Sequence, residues 1–182
     1  VRDEGETVRF LPDLDHGLEW CENQLLLAAD LPLHQDHENL ITQLTEILPA
    51  SANLKQLINY FERLEVEEGY YLMHQGDAPD ALYFVESGQI TAQLEYPDRE
   101  PLRLETMRGG RVVGEIGFYL STNRTAAVVA DAPSVVYRFS LDTLKKIEKS
   151  DPAAASTFHQ IIVHLLSHRL THLITTVRAL QH

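Results

Sequence analysis

An acid and a base stand close together in the stretch GEIGFYLSTNRTAAV, residues 114–128, among glycine, alanine and hydroxyl residues. A guanidinium such as that of Arg124 binds phosphate through charge and paired hydrogen bonds, and backbone N–H groups add further donors. Small residues such as Thr125 and Ala126 let a phosphate approach the backbone. A carboxylate repels phosphate, so Glu115 is better suited to accept hydrogen bonds from a hydroxyl, as acidic residues do for ribose. A phosphate and a ribose together predict a nucleotide.

A second interpretation of this stretch needs no ligand. Glu115 would then be an acid in the first turn of a short helix, where it complements the helix dipole, and Arg124 would pair with it at the surface. The stretch by itself does not decide between the two interpretations.

Three helices are predicted before the first strand. The first covers 13–29 and carries Cys21 on its apolar face, and the second covers about 36–48. Ser51 is a suitable cap for the third. Its apolar stripe is expected to contain Leu54, Leu57, Ile58, Phe61 and Leu64. We therefore expect residues 1–65 to be helical.

Short strands separated by glycine follow Glu68. The runs are YYLM, ALYFVES, QITAQLEY, PLRLETM and RVV, with Gly69, Gly76, Gly88 and Gly110 in the breaks. Such runs predict an antiparallel sandwich or jelly roll over about 66–140. GEIGFYL is too short for a full helix and precedes two further strands, AAVVA and SVVYRFS. A helix of one or two turns inserted into the β roll is therefore predicted.

The helical period returns at Leu141. LDTLKKIEKS predicts a short helix, and DPAAAS opens a long one with Pro152 in an early position, where its missing N–H costs little. Along the long helix an apolar seam recurs at alternating intervals of three and four: Val163, Leu166, Leu170, Leu173, Val177 and Leu180. The seam fits either a homodimer contact of the coiled-coil kind or a helix packed on its own β roll.

The composition limits the function. The chain has 182 residues and a net charge of −12, and its fifteen Lys and Arg are scattered, so we expect no nucleic acid partner. A single cysteine cannot form an intramolecular disulfide, which fits a reduced, cytoplasmic setting. No apolar run approaches the roughly 20 residues of a membrane-spanning helix, so we expect no insertion into a membrane.

The order of these parts, over residues 40–182, resembles the cyclic nucleotide-binding domain. In that family the β roll opens with a glycine, a Gly-Asp turn and a Leu-Tyr strand that ends at another glycine. Here these are Gly69, Gly76 with Asp77, Leu82 with Tyr83, and Gly88. The family's phosphate-binding cassette follows as Gly-Glu, a short helix and an arginine among small residues, and residues 114–128 match this spacing without a gap.

Pattern and resemblance together predict an α+β fold that is mainly β. It is an antiparallel β roll or jelly roll with N-terminal helices, a short inserted cassette helix and two C-terminal helices over 141–182.

The resemblance also implies roles for single residues. Glu115 would accept a hydrogen bond from the ribose 2′-hydroxyl, and Arg124 would pair with the cyclic phosphate. The same pocket would be lined by Gly114, Ile116, Gly117, Thr125 and Ala126. In the family the last helix closes over the base, so the candidate lid residues are His168, Leu170, Thr171 and Leu173. Val113, Asn123 and Ala127 depart from the residues frequent in the family, but none removes a charged contact.

We therefore expect a regulatory module, not an enzyme, that binds cAMP rather than cGMP and relays occupancy through its C-terminal helices. Thr125 alone does not decide between the nucleotides, because the family also uses such a residue to contact guanine. No Gly-x-Ser-x-Gly, His-Glu-x-x-His or P-loop pattern occurs, and no cofactor is expected. Two alternatives stay open. One is a domain that has lost its ligand and acts in interaction or dimerisation. The other is a transcription regulator of the catabolite activator type, which needs a helix-turn-helix beyond the last helix.

The segment FLPDLDHGLEWCENQLL resembles the junction after a STAS domain in SulP-type anion transporters that carry a cytosolic cyclic nucleotide-binding domain. This implies that residues 1–30 are a linker or the tail of a STAS-like domain, and that 31–182 form the nucleotide-binding domain at the cytosolic side of a membrane. The membrane and STAS domains of the same parent chain would then be its partners. The start at Val1, without methionine, fits this expectation. The other interpretation is that 10–29 are only an N-terminal helix of this domain.

Three histidines, His164, His168 and His172, recur every four residues on one side of the long helix, a spacing that can bind zinc or nickel. No acid or cysteine accompanies them at matching positions. Ser167 and Thr171 indicate a solvated face, so no metal site is expected.

Overall fold

The computed structural model describes residues 21, 24, 25, 39–48 and 53–179, without the side chains of residues 172, 176 and 179. The chain divides into two units, 1–36 and 37–182. Of the first unit, Cys21, Gln24 and Leu25 are helical and exposed, and the rest of the helix predicted over 13–29 lies outside the described residues.

Among residues 39–48 and 53–61, two short helices precede the strands: α1 (Leu40–Ile47) and α2 (Leu54–Ile58). The side chain of Asn39 caps α1 by accepting a hydrogen bond from the Thr42 backbone N–H at 3.1 Å. The third predicted helix was too long. It ends at Ile58, Phe61 lies outside it, and Leu64 belongs to a strand. The prediction that residues 1–65 are helical was therefore wrong over 59–65.

In the part of the chain that the structure describes, eight strands form two four-stranded antiparallel sheets. They are β1 (Glu62–Val66), β2 (Tyr71–Met73), β3 (Ala81–Ser87), β4 (Gln89–Tyr96), β5 (Arg99–Arg108), β6 (Arg111–Val113), β7 (Ala127–Ala130) and β8 (Ser134–Ser140). The strand orders are β1-β8-β3-β6 and β2-β7-β4-β5. The predicted mainly-β jelly roll is confirmed, and it begins at Glu62 rather than near 66.

The core has two parts, because both faces of β3 are covered. Alternate side chains of a strand point to opposite faces. Ala81, Tyr83 and Val85 pack in the cluster that lies within the β roll, whereas Leu82 and Phe84 pack in the cluster that contains the helices. Five successive residues of β3 are buried because each face of the strand packs against one of these clusters.

Within residues 53–179, three more helices follow: the cassette helix α3 (Glu115–Leu120), α4 (Leu141–Ser150) and α5 (Pro152–Ala179). The predicted inserted helix and both predicted C-terminal helices are present. Phe158, Ile161 and Ile162 bury the first half of α5 against the domain. None of the helices in the described part of the chain is long and apolar enough to cross a membrane.

Candidate functional site

The cassette helix begins at a glycine that no other residue replaces easily. Gly114 has a φ of 82°. A Cβ added there would lie 2.8 Å from Met73 Cε and 2.9 Å from Arg124 Nη1. The Gly114 carbonyl accepts hydrogen bonds from Arg124 Nη1 at 2.9 Å and from the Phe118 backbone N–H at 3.1 Å. Gly114 therefore joins the helix start to the arginine that follows it.

A cavity of about 180 Å³ lies beside the start of this helix. All seven residues predicted to bind a ligand line it: Gly114, Glu115, Ile116, Gly117, Arg124, Thr125 and Ala126. The other walls come from strands, among them Met73, Glu105 and Met107, and from α5 through Arg169. The structure thus brings together residues from both ends of the cassette.

Arg124 forms one wall of the cavity, and its side chain is only 2% exposed. Besides Gly114, its guanidinium donates through Nη2 to the Ala81 carbonyl and to Asp80 Oδ1, the latter at 3.2 Å. Its Nε is buried and has no hydrogen-bond acceptor among the described residues. Arg124 is thus held firmly, and its buried Nε–H is not used as a donor among the described residues.

Glu115 supplies a negatively charged group to the same cavity and is almost fully buried. Burial raises the pKa of its carboxyl above the ordinary value, although a bond to its own backbone and the charge of Arg169 act in the other direction. Arg169 Nη1 donates to Glu115 Oε1 at 2.9 Å, while Arg169 Nη2 donates to Glu105 Oε2 at 3.0 Å and contacts Met107 Sδ at 3.4 Å.

Glu115 and Arg124 are not paired with each other. The ion pair recorded for Glu115 is with Arg169, and the one recorded for Arg124 is with Asp80. Both side chains nevertheless line the same cavity. This arrangement contradicts the interpretation in which the two are surface partners, and it leaves each with a separate chemical task.

Asp80 and Arg169 are functional candidates that the sequence reasoning missed. Asp80 Oδ2 accepts a hydrogen bond from Arg138 Nη2 at 2.8 Å, so its two oxygens join Arg138 to Arg124. Nothing in the local sequence distinguishes Asp80 from a turn residue. Arg169 did carry a signal, because it is the only Asp, Glu, Lys or Arg between Pro152 and Val177.

The four predicted lid residues do not line the cavity in this structure. His168 borders a neighbouring cavity with Val112 and Leu165, and the other three, Leu170, Thr171 and Leu173, are exposed. Successive residues of a helix point in directions about 100° apart, so Arg169 faces the cavity while its neighbours flank it. The side chain of His172 lies outside the described part. Within that part, no three His, Cys, Asp or Glu side chains are grouped to hold a metal.

Residues 63–151 match the family model of the cyclic nucleotide-binding domain. Glutaminase 1 of Bradyrhizobium diazoefficiens is 28% identical over 167 residues, which cover 91% of this chain and 26% of the glutaminase. The cAMP-dependent protein kinase type II regulatory subunit of Drosophila melanogaster is 29% identical over 103 residues, 52% of this chain and 27% of that protein. The chain thus spans about a quarter of the length of both relatives.

A solved structure, the cyclic nucleotide-binding domain from Methylobacillus flagellatus, has the same fold, with a TM-score of 0.63 at 18% identity. The similarity covers 76% of this chain and 83% of that one. Residues 63–151 thus match the cyclic nucleotide-binding domain family, and the jelly roll with its inserted cassette helix agrees with that match.

Proposed function

We propose that this chain is a regulatory module that binds a cyclic mononucleotide in the cavity at the cassette. The observation that carries the proposal is the buried Nε of Arg124, which has no acceptor among the described residues. A buried donor left unpaired costs about 1–3 kcal/mol. The cyclic phosphate would supply the missing acceptor, and the exposed Thr125 and half-buried Ala126 leave room for it to reach the backbone.

Glu115 would bind the sugar. Its carboxylate lies on the same cavity as Arg124 without being paired to it, so it remains able to accept a hydrogen bond from the ribose 2′-hydroxyl. A carboxylate oxygen accepts more than one hydrogen bond. The division of tasks, phosphate at Arg124 and sugar at Glu115, matches the type of group that each side chain recognises best.

Occupancy would be relayed through α5, because Arg169 connects that helix to the cavity. A ligand shifts a conformational equilibrium only by the difference between its affinities for the two states. A coupling free energy of about 1–3 kcal/mol is typical of such regulation.

Titration calorimetry of the chain with cAMP tests the proposal. Saturable binding is expected, and Arg124→Ala should weaken it by at least about tenfold, because the phosphate loses its charged, desolvated partner. Arg63→Ala is a matched control, since Arg63 is an exposed arginine that pairs with Glu65 away from the cavity. Absence of binding at millimolar cAMP and cGMP would contradict the proposal.

We propose cAMP as the preferred ligand. The support is the similarity to the regulatory subunit of a cAMP-dependent protein kinase. A cGMP-dependent protein kinase of Caenorhabditis elegans is similar to a comparable degree, so the preference has to be measured. Parallel titrations with cAMP and cGMP give the preference directly. Thr125→Ala is the informative variant, because loss of the hydroxyl should weaken cGMP selectively if Thr125 contacts guanine. A higher affinity for cGMP in the unsubstituted chain would reverse the assignment.

The domain would regulate an activity on the same parent chain. The sequence resemblance favours an anion transporter of the SulP type with a STAS domain. The match to Glutaminase 1 covers 91% of this chain and favours a parent that contains a glutaminase domain instead. Sequencing the gene outside residues 1–182 separates the two. Upstream membrane-spanning segments would support the transporter, and a glutaminase domain would contradict it.

A second candidate function is dimerisation through α5 without a ligand. Its support is the exposure of the predicted seam, where Leu170 is 59%, Leu173 55% and Val177 55% exposed. Sedimentation velocity over a range of concentrations tests this candidate. A dimer that Leu173→Glu dissociates, together with an absence of cAMP binding, would favour it over the regulatory module.

A further inference from the structure

The long helix α5 meets the cassette helix at two places among the described residues. Arg169 Nη1 donates to Glu115 Oε1 at 2.9 Å, and nearer the start of α5 the Tyr119 hydroxyl is hydrogen-bonded to His159 Nδ1 at 2.8 Å. These places are about 15 Å apart along the axis of α5. Two contacts at that distance fix the direction of a helix, whereas one contact leaves the helix free to turn about it.

The contact at His159 lies beside an apolar contact between the same two helices. Phe118 and Phe158 are both buried, and their ring centroids are 6.3 Å apart. Tyr119 and His159 are the next residues along the two helices, and their rings meet edge to face with centroids 5.8 Å apart. The buried rings hold the helices together. The polar pair beside them fixes the orientation, because a hydrogen bond is directional and apolar packing is not.

The protonation of the pair favours this hydrogen bond. Partial burial and the charge of Glu148 raise the pKa of the Tyr119 hydroxyl, so it stays protonated and can donate. His159 then accepts at Nδ1 and carries its own proton on Nε2, which lies 3.8 Å from Glu148 Oε1. Glu148 belongs to α4. The pair therefore lies where the cassette helix and both C-terminal helices meet.

Tyr119 is also connected to the cavity through its own helix. Glu115 and Tyr119 are four residues apart in α3, so they lie on the same face, about one turn from each other. Glu115 lines the cavity, and Tyr119 reaches α5. A ligand that holds Glu115 therefore also holds the face of α3 that carries Tyr119.

We propose that Tyr119 and His159 are positioning residues for nucleotide binding. Neither of them lines the cavity. Their contact fixes the start of α5 against the cassette, so that a nucleotide held at Glu115 brings the rest of α5 over the base. The inference rests on the proposed function and adds the contact through which the cassette directs α5.

Calorimetric titration of Tyr119→Phe with cAMP tests this role. The substitution removes the hydroxyl and keeps the ring. We expect about threefold weaker binding, which is the effect of losing one partly exposed hydrogen bond. Tyr70→Phe is the matched control, because Tyr70 is an exposed tyrosine that does not line the cavity, and it should leave the affinity unaltered. Unchanged affinity in Tyr119→Phe would overturn the proposal.

Substitutions of His159 separate positioning from a general loss of structure. His159→Ala should weaken cAMP binding about threefold. His159→Asn should restore the affinity, because the side-chain oxygen of asparagine lies near the position of Nδ1 and accepts a hydrogen bond. Equal losses in the two variants would contradict the proposal. Tyr119→Phe combined with His159→Ala should lose no more than either alone, since both remove one contact, and additive losses would also contradict it.

Hydrogen exchange shows whether the pair acts through α5. Saturating cAMP should slow amide exchange over 160–179 in the unsubstituted chain and should slow it less in Tyr119→Phe, where the cassette no longer directs α5. Equal slowing in the two chains would overturn this inference and leave the proposed function intact. Absence of cAMP binding in the unsubstituted chain would contradict the proposed function, and the inference would fail with it.

Discussion

The two walls of the cavity hold their charged groups in contrasting ways. Arg124 is fixed by the carbonyls of Gly114 and Ala81 and by Asp80, all of which belong to the β roll and the cassette. Glu115 is held by Arg169, a long side chain from α5. The Arg124 wall is therefore built from the β roll and the cassette, whereas the Glu115 wall is completed by a side chain from α5. Under the proposed function, the wall that α5 completes would be the one that relays occupancy.

Asp80, which holds Arg124, and Glu115 also differ in the direction of their pKa shifts. Partial burial raises the pKa of Asp80, but hydrogen bonds and charge from Arg138 and Arg124 outweigh it, so the pKa lies below the ordinary value. Burial dominates at Glu115 and raises its pKa. Arg138 and Arg124 stabilise the ionised form of Asp80. Burial instead favours the neutral form of Glu115.

The largest effect is expected at Gly114. An alanine there would carry a left-handed backbone, which costs about 1–2 kcal/mol. Its Cβ would also press on Met73 and Arg124, which adds about 1–3 kcal/mol of overpacking. Urea unfolding of Gly114→Ala should show a free energy of unfolding lowered by both effects. Its affinity for cAMP should fall as well.

Gly110→Ala is the matched control for this substitution. Gly110 has a φ of 83°, and an added Cβ meets nothing within 4 Å. Gly110→Ala should therefore lose only the free energy that the left-handed backbone costs. An equal loss of unfolding free energy in the two variants would mean that Met73 and Arg124 yield to the added Cβ without cost, so that the Arg124 wall is not rigid.

Asp80→Asn should have an intermediate effect on ligand affinity. The substitution leaves Arg124 with its two carbonyl partners but removes a charged one, so its guanidinium is less fixed. We expect cAMP binding to weaken about threefold, a modest loss because the Asp80 side chain is 63% exposed. Calorimetry of Glu62→Gln is the control, since Glu62 holds Arg138 at 3.3 Å but does not contact Arg124. Unchanged or tighter binding by Asp80→Asn would show that Asp80 does not help to fix Arg124.

The smallest effect is on the pH dependence of stability, where the two acids should act with opposite sign. The raised pKa of Glu115 means that its contribution is fully present below the unfolded value near 4.5 and is lost as pH rises through the folded value. The lowered pKa of Asp80 means that its contribution is present above the unfolded value near 3.8 and is lost as pH falls through the folded value.

Urea unfolding over a pH series measures this difference. As pH rises from about 3 to 7, the unsubstituted chain should lose stability relative to Glu115→Gln and gain it relative to Asp80→Asn. Two parallel curves would show that the environments of the acids do not differ as described.

Most of the fold could be predicted because its signals are local. Glycine residues marked the ends of the strands, and the two C-terminal helices were predicted from the apolar period and from the early position of Pro152 in α5. The exception was β1. Leu64 extends the apolar stripe of α2 in sequence, yet it pairs with Val136 of β8. Pairing with a distant strand overrides a helical period, and no short-range pattern contains that information.

The candidate site divides in the same way. Glu115 and Arg124 belong to one continuous stretch, so their residue types and spacing already predicted their tasks. Asp80 reaches Arg124 from 44 residues away, and Arg169 reaches Glu115 from 54 residues away. The resemblance placed a lid on α5 but gave no reason to choose among neighbouring residues of the helix.

The sequence alone determined a jelly roll with an inserted cassette that carries an acid, a base and bare backbone, because each depends on neighbours along the chain. Only the tertiary structure decided which partners those two groups have. Asp80 and the carbonyls of Ala81 and Gly114 fix Arg124, while Arg169 donates a hydrogen bond to Glu115. The physical reason is that hydrogen bonds and cavity volume depend on how strands and helices meet in space, and this positions partners that are far apart in the chain.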